Sequence, residues 1–302
     1  MQDRKIIIAS EFFNELDLLE MKLEILDPVV DYFVISESTK THSGKDKPLY
    51  YEESKERYKK FHHKIIHQII DDSPANMEEL INISPKNDYH DIAISHVAHA
   101  DWFDKKVESY LRDDYEKECL LIPLIDKDPK DIILLGDLDE IPNPYIILSL
   151  KDGVKEGWFD HYLVYHLEQG MFYYYLNCQK VNEPWRGTLA TTIENFAKEG
   201  FGRMRTHKKG ATIKNGGWHF TYMGGAEKIK TKIESWGEQS LNTDAVKNHI
   251  GYNFENFLKE GKDVFFRPAE FLIRDIHDGT FPEYLVKNEE KYSKYIYKGA
   301  SK

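Results

Sequence analysis

The first 150 residues alternate between short, uniformly apolar runs and longer stretches whose apolar residues recur every three or four positions. Ile6-Ile7-Ile8-Ala9 has no polar interruption and predicts a short buried strand. Leu16, Leu19, Leu23 and Leu26 then fall on one helical face, and Asp27-Pro28 ends that helix. Val29 to Ile35 is β-rich and predicts a second strand, closed by the polar stretch Ser36 to Lys47. Lys64 to Ile70 predicts a third strand, followed by a polar loop from Asp71 to about Asp88, and an amphipathic helix is expected over His90 to Glu118. The clearest strand is Asp131-Ile132-Ile133-Leu134-Leu135, opened by Pro129 and stopped by Gly136.

Strands alternating with helices define an α/β chain with a parallel sheet in its first half. From Trp158 to Lys180 the pattern becomes β-like and aromatic, which predicts antiparallel strands and hence a mixed sheet. Ile229, Ile233 and Trp236 mark one later helix, and Phe254, Phe257 and Leu258 another. No repeat, low-complexity segment or linker interrupts the chain. The expectation is one domain over 1–302, with a nucleotide-binding half to about residue 150 and an acceptor-binding half from about 151.

Composition narrows the function. A formal net charge of -11 opposes nucleic-acid binding, which depends on basic residues displacing counterions from phosphates. Nineteen Tyr, 16 Phe and 5 Trp suit the stacking of sugar rings as well as ordinary core packing. Two cysteines far apart in sequence, Cys119 and Cys178, form neither a disulfide framework nor a zinc-binding pattern. His63 with His67 and His96 with His99 have helical spacing but no third ligand, so they read as ordinary histidines. The apolar run at Ile6 is too short for a signal peptide or a membrane span, and the expected location is cytoplasmic or peripheral to a membrane.

Asp137-Leu138-Asp139 follows the clearest strand directly. The carboxyl ends of strands are where open α/β sheets bind ligands. Two carboxylates at i and i+2 there can reach one hard cation, Mn²⁺ or Mg²⁺, which would neutralise a diphosphate leaving group. Asp-x-Asp alone is common, and its position is what gives it weight. Serine-hydrolase and P-loop signatures are missing.

Asp137-Leu138-Asp139-Glu140-Ile141-Pro142, after Asp131-Ile132-Ile133-Leu134, resembles the central signature of glycosyltransferase family 17, the enzymes that add bisecting N-acetylglucosamine. Asn14 to Glu20, Val29 to Ser38, Gly216-Gly217-Trp218-His219-Phe220-Thr221-Tyr222 and Tyr284 to Asn288 resemble other blocks of the family in the same order. The resemblance implies a GT-A type fold, an inverting transfer, a UDP-N-acetylglucosamine donor and Mn²⁺ or Mg²⁺. It implies a glycan acceptor too, whether oligosaccharide, glycoprotein or lipid-linked. The animal enzymes have an N-terminal membrane anchor, and the expectation of a soluble chain leaves the acceptor open.

On this resemblance Asp139 is the direct metal ligand, Asp137 a ligand or ribose contact, and His219 a third ligand or phosphate contact. Trp218 is a candidate floor for a sugar ring. Glu15, Asp17 and Glu37 are candidates for nucleoside recognition, and Arg112, Lys45, Arg203 and Arg205 for the diphosphate. Inversion needs a base for the acceptor hydroxyl. Glu183, beside Pro184-Trp185-Arg186-Gly187, is the first candidate, with Glu168 and Glu238 as competitors. The competing functional readings are an Mg²⁺-dependent phosphohydrolase and a catalytically silent carbohydrate-binding protein.

Overall fold

A computed structural model describes residues 4–260 and 262–298. Its centre is a mixed sheet of ten strands. β1 (Ile6–Glu11), β2 (Tyr32–Ser38), β3 (Ile65–Ile70) and β4 (Ile132–Leu135) are parallel in the order β3-β2-β1-β4. β5 (Glu140–Pro142) follows β4 at once. β6 (Tyr165–Tyr173), β7 (Cys178–Trp185) and β8 (Leu189–Thr192) extend the sheet through antiparallel pairs, with β8 against β4. β9 (Ala211–Thr221) runs parallel to β6 and antiparallel to β5, and β10 (Phe271–Ile273) closes the edge on β7. One sheet therefore passes through both halves of the chain, α/β and mixed as the pattern predicted.

Period-two alternation explains why the central strands carry no polar face. Ile6, Ile8, Phe33, Ile35, Ile132 and Leu134 point into one core, and Ile7, Ala9, Val34, Ile133 and Leu135 into the other. The first core is closed by Leu19, Leu23 and Leu26 of α1 (Leu16–Leu26). The second is closed by Leu120, Leu121 and Leu124, and by Phe196, Phe201 and Met204. A third core is largely aromatic, built around Tyr173, Tyr174, Tyr222 and Phe254. Much of the chain's aromatic content is thus spent on packing.

Two loop and helix expectations change. The helix expected over His90 to Glu118 is two. After the short α2 (Tyr50–Ser54) and α3 (Met77–Ile81), α4 (Asp88–Ala98) stops, and α5 (Glu108–Glu118) begins ten residues later. Asp104 accepts a hydrogen bond from the Lys106 N–H, and Lys105 Nζ caps the Ala98 carbonyl, so local side-chain bonds replace the helical ladder. α3 lies within the stretch expected as polar loop. Asn76 accepts from the Glu79 N–H while Glu79 reaches back to the Ala75 N–H, a reciprocal cap readable as Asn-x-x-Glu.

The remaining helices are α6 (Pro144–Glu156), α7 (Ile193–Glu199), α8 (Phe201–His207), α9 (Gly225–Ser235), α10 (Asp244–Glu260) and α11 (Glu283–Lys287). Among the described residues no helix is long and apolar enough to cross a membrane.

Candidate active site

Leu138 is buried in the first core, which turns Asp137 and Asp139 outward from the loop between β4 and β5. The loop is fixed from three sides. The Glu140 N–H donates to the Asp137 carbonyl at 3.1 Å, and the Phe220 N–H to the Asp139 carbonyl at 2.8 Å. Lys22, buried on the core side of α1, donates from Nζ to the Asp137 carbonyl at 3.1 Å and to Ser10 Oγ at 2.7 Å. Burial pulls the Lys22 ammonium down to about 8, against the attraction of Glu140, Asp139 and Asp137. Its signal in the sequence is its place on an apolar helical face, three residues after Leu19 and four before Leu26.

The two aspartates have different partners. Arg205 of α8 grips Asp137 in a bidentate fork, at 2.6 and 2.7 Å, and also donates to Glu140 at 2.8 Å. Asp139 receives Lys232 Nζ of α9 on Oδ2 at 2.9 Å and faces His219 Nε2 from Oδ1 at 3.3 Å. Burial alone would raise both carboxyls. Arg205 and Lys117 hold Asp137 well below the usual carboxylate range, and Lys232 and His219 do the same for Asp139. His219 is brought there by the β5–β9 ladder, in which it pairs with Glu140. Its buried Nδ1 has no hydrogen-bond partner among the described residues.

Glu140 is completely buried and anchors this arrangement. It accepts from Arg205, from Trp185 Nε1 at 2.5 Å and from Thr188 Oγ1 at 2.5 Å. Gly187 allows that approach, since a Cβ there would lie 2.1 Å from Trp185 Nε1 and 2.2 Å from Glu140 Oε1.

Asp137, Leu138 and Asp139 form one wall of a cavity of about 360 Å³, within the size range of small-molecule sites. It extends past Phe12 and Phe13, after β1, to Tyr110 and Trp236. It also borders a tight charge cluster. His42 lies 3.4 Å from Asp113, 3.2 Å from Glu116 and 4.0 Å from Glu11. Burial opposes a charge on His42, but the three carboxylates outweigh it and push the imidazole up to about 9. Burial raises Glu11 in turn to about 8. None of these four residues was singled out in the sequence, because β1, the loop after β2 and α5 meet only in the fold.

A second cavity of about 370 Å³ adjoins the first across Phe13, Glu15, Asp139 and Lys232, and continues past Phe220, Tyr222 and Tyr295. Asp17 lies at this second cavity, tied to Arg57, Lys294 and the Tyr295 hydroxyl. A third, separate cavity of about 310 Å³ is lined by Glu168, Glu183 and Trp218.

Several expected site residues stay apart from the aspartates. Glu37 is fully buried beneath α2, where it accepts the Tyr51 N–H at 3.0 Å and faces His67. Arg112 is buried behind the turn after Thr41, bonded to the His42 carbonyl and to Glu108, so it supports the loop rather than a ligand. Arg203 points to solvent and pairs with Glu199, the last residue of α7. Neither it nor Lys45 lines a cavity described above. Trp218 packs in the first core with Nε1 on the Thr280 carbonyl. Glu183 is largely exposed and paired with Lys180. Both face the third cavity, because alternate residues of β9 point to opposite sides of the sheet and Trp218 therefore opposes His219. Of the competing base candidates, Glu238 lines the first cavity and Glu168 the third.

The Asp137-Leu138-Asp139 loop thus sits, fixed, at the carboxyl edge of the parallel strands and borders a cavity. The model of glycosyltransferase family 17 matches residues 1–84, from β1 through α3, the family that the sequence blocks resemble. No curated protein matches the chain.

Proposed function

We propose that this chain is a metal-dependent, inverting transferase that moves a sugar, N-acetylglucosamine, from its UDP donor to a glycan acceptor. The observation that carries the reading is the Asp139–His219 pair, 3.3 Å apart beside the first cavity. A carboxylate oxygen and an imidazole nitrogen are a donor set suited to Mn²⁺, and the carboxylate suits Mg²⁺ as well. Asp139 and His219 would hold the cation, whose contribution is to neutralise charge developing on the diphosphate. Asp137, with both oxygens in the Arg205 fork, is a positioning residue for the loop in this reading.

Lys232, paired with Asp139, would supply a cationic donor for a phosphate oxygen, an interaction that strengthens as charge moves to the leaving group. Phe12, Phe13 and Tyr110 offer aromatic surface to the nucleoside, and the carboxylates of Glu11, Asp113 and Glu116 offer acceptors for ribose hydroxyls. Donor binding in this reading draws on both halves of the chain, with Asp139 from the first and His219 and Lys232 from the second. A phosphohydrolase using Asp137 as nucleophile fits less well, since its two oxygens are already engaged by a guanidinium.

The test is UDP release from UDP-N-acetylglucosamine with Mn²⁺ or Mg²⁺, for wild type and Asp139→Asn. Loss of turnover together with loss of cation-dependent UDP binding in the variant is the expected outcome. Unchanged turnover in Asp139→Asn refutes the metal assignment. Stabilisation by free glycans without any response to UDP and cation would instead indicate a carbohydrate-binding protein.

A further inference from the structure

The reaction proposed above needs a base that faces the acceptor hydroxyl and the donor's anomeric carbon together. Inversion by a single displacement puts the attacking oxygen on the side of that carbon opposite the leaving diphosphate. Asp139 and Lys232 line both cavities, so a diphosphate held there would put the carbon at their junction and leave the second cavity for the acceptor. A carboxylate acting as base must therefore border both.

Glu15 and Asp139 are the two carboxylates that line both cavities. Asp139 is engaged by Lys232 and His219. Asp17 borders the second cavity, but its oxygens are taken by Arg57, Lys294 and Tyr295. Glu238 borders the first, with its oxygens on the Tyr110 hydroxyl and the Ser240 N–H. Glu15 differs in having one oxygen held and one free. Oε2 accepts the Asn14 N–H at 3.0 Å, which fixes the carboxylate just ahead of α1, and Oε1 has no hydrogen-bond partner among the described residues.

We propose that Glu15 is the general base of the transfer. Its Oε1 takes the proton of the acceptor hydroxyl as the acceptor oxygen forms its bond to the anomeric carbon. The bond from that carbon to the diphosphate oxygen breaks, and its electron pair leaves with UDP. The inference rests on the transferase reading, and it moves Glu15 from nucleoside recognition, its role as read from the sequence, to chemistry.

Glu15→Gln keeps the Asn14 contact and removes the basic oxygen. Slow hydrolysis of UDP-N-acetylglucosamine, with water in place of the acceptor, should fall about 100- to 10,000-fold, the usual range for a lost general base. UDP affinity with Mn²⁺ should be unchanged. Azide, an anionic nucleophile with no proton to lose, should form glycosyl azide at the wild-type rate in Glu15→Gln and in Glu15→Ala, read by mass spectrometry. A melting temperature equal to wild type for either variant excludes misfolding as the cause.

Hydrolysis at the wild-type rate in Glu15→Gln overturns the proposal. So does a parallel loss of azide transfer or UDP binding, which would make Glu15 a donor-binding residue. If the wild type releases no nucleotide from any of a panel of nucleotide sugars, the transferase reading itself fails, and the base assignment with it.

Discussion

Replacing Arg205 with methionine tests whether the Asp-x-Asp loop is held by charge. The guanidinium is only 16% exposed and makes three short bonds, two to Asp137 and one to Glu140. Methionine fills much of the volume and supplies none of the donors. Glu140 would then keep Trp185 and Thr188 as partners but lose its cation while fully buried. Removing one partner of a buried ion pair costs about 3–5 kcal/mol. Asp137, about a third exposed, recovers part of its share by hydration. The expected destabilisation is therefore about 3 kcal/mol, which for a chain of this size lowers Tm by roughly 6–12 °C. Adding Glu140→Gln should restore more than half of the loss, because it removes the stranded charge while keeping an acceptor. Arg205→Lys should fall between, with its charge kept and its fork lost. Urea unfolding and thermal melts of the four proteins supply the measurement. Arg205→Met melting within a degree of wild type, or a double variant less stable than the single, would refute the reasoning.

Two further outcomes follow from the geometry. Gly187→Ala places a methyl against Trp185 and Glu140, and the overpacking should cost about 1–3 kcal/mol in urea unfolding; a neutral result would mean that the 183–187 segment yields freely. His42, raised to about 9, stabilises the fold fully below its ordinary 6.5 and loses that contribution as the pH rises toward 9. Glu11, raised to about 8, acts in the same direction, since its ionisation is disfavoured in the folded state. Stability should therefore decline between pH 6.5 and 9, by on the order of 2 kcal/mol from His42, and His42→Gln should show a flatter profile. An equal slope in both proteins would remove His42 as the cause.

What could be read in the sequence were features governed by short-range periodicity. Alternate residues of β1, β2 and β4 face opposite cores, so continuous apolar runs announced buried strands without any knowledge of their neighbours. The β4 run and its stop at Gly136 placed Asp137 and Asp139 at a strand end, and the spacing of Leu19, Leu23 and Leu26 gave α1 its buried face. Where local bonds compete with periodicity, as at Asp104 and at Asn76 with Glu79, the pattern misled until those side chains were considered.

Partnership was decided by tertiary structure alone. Arg203 and Arg205 are two residues apart on one short helix, yet one pairs with Glu199 in solvent and the other holds Asp137, because a helical step of two turns side chains to nearly opposite faces. Glu37 near the end of β2 and Glu15 after β1 lie at the same sheet edge, but α2 covers the first while the second borders two cavities. The cluster of Glu11, His42, Asp113 and Glu116 draws on three segments spread over a hundred residues of chain, and no spacing rule joins them. Sequence determines which residues carry charge and which face of their element they occupy. Only the packing of elements decides which charges meet, and so which carboxylate is neutralised, which is buried and which is left free to react.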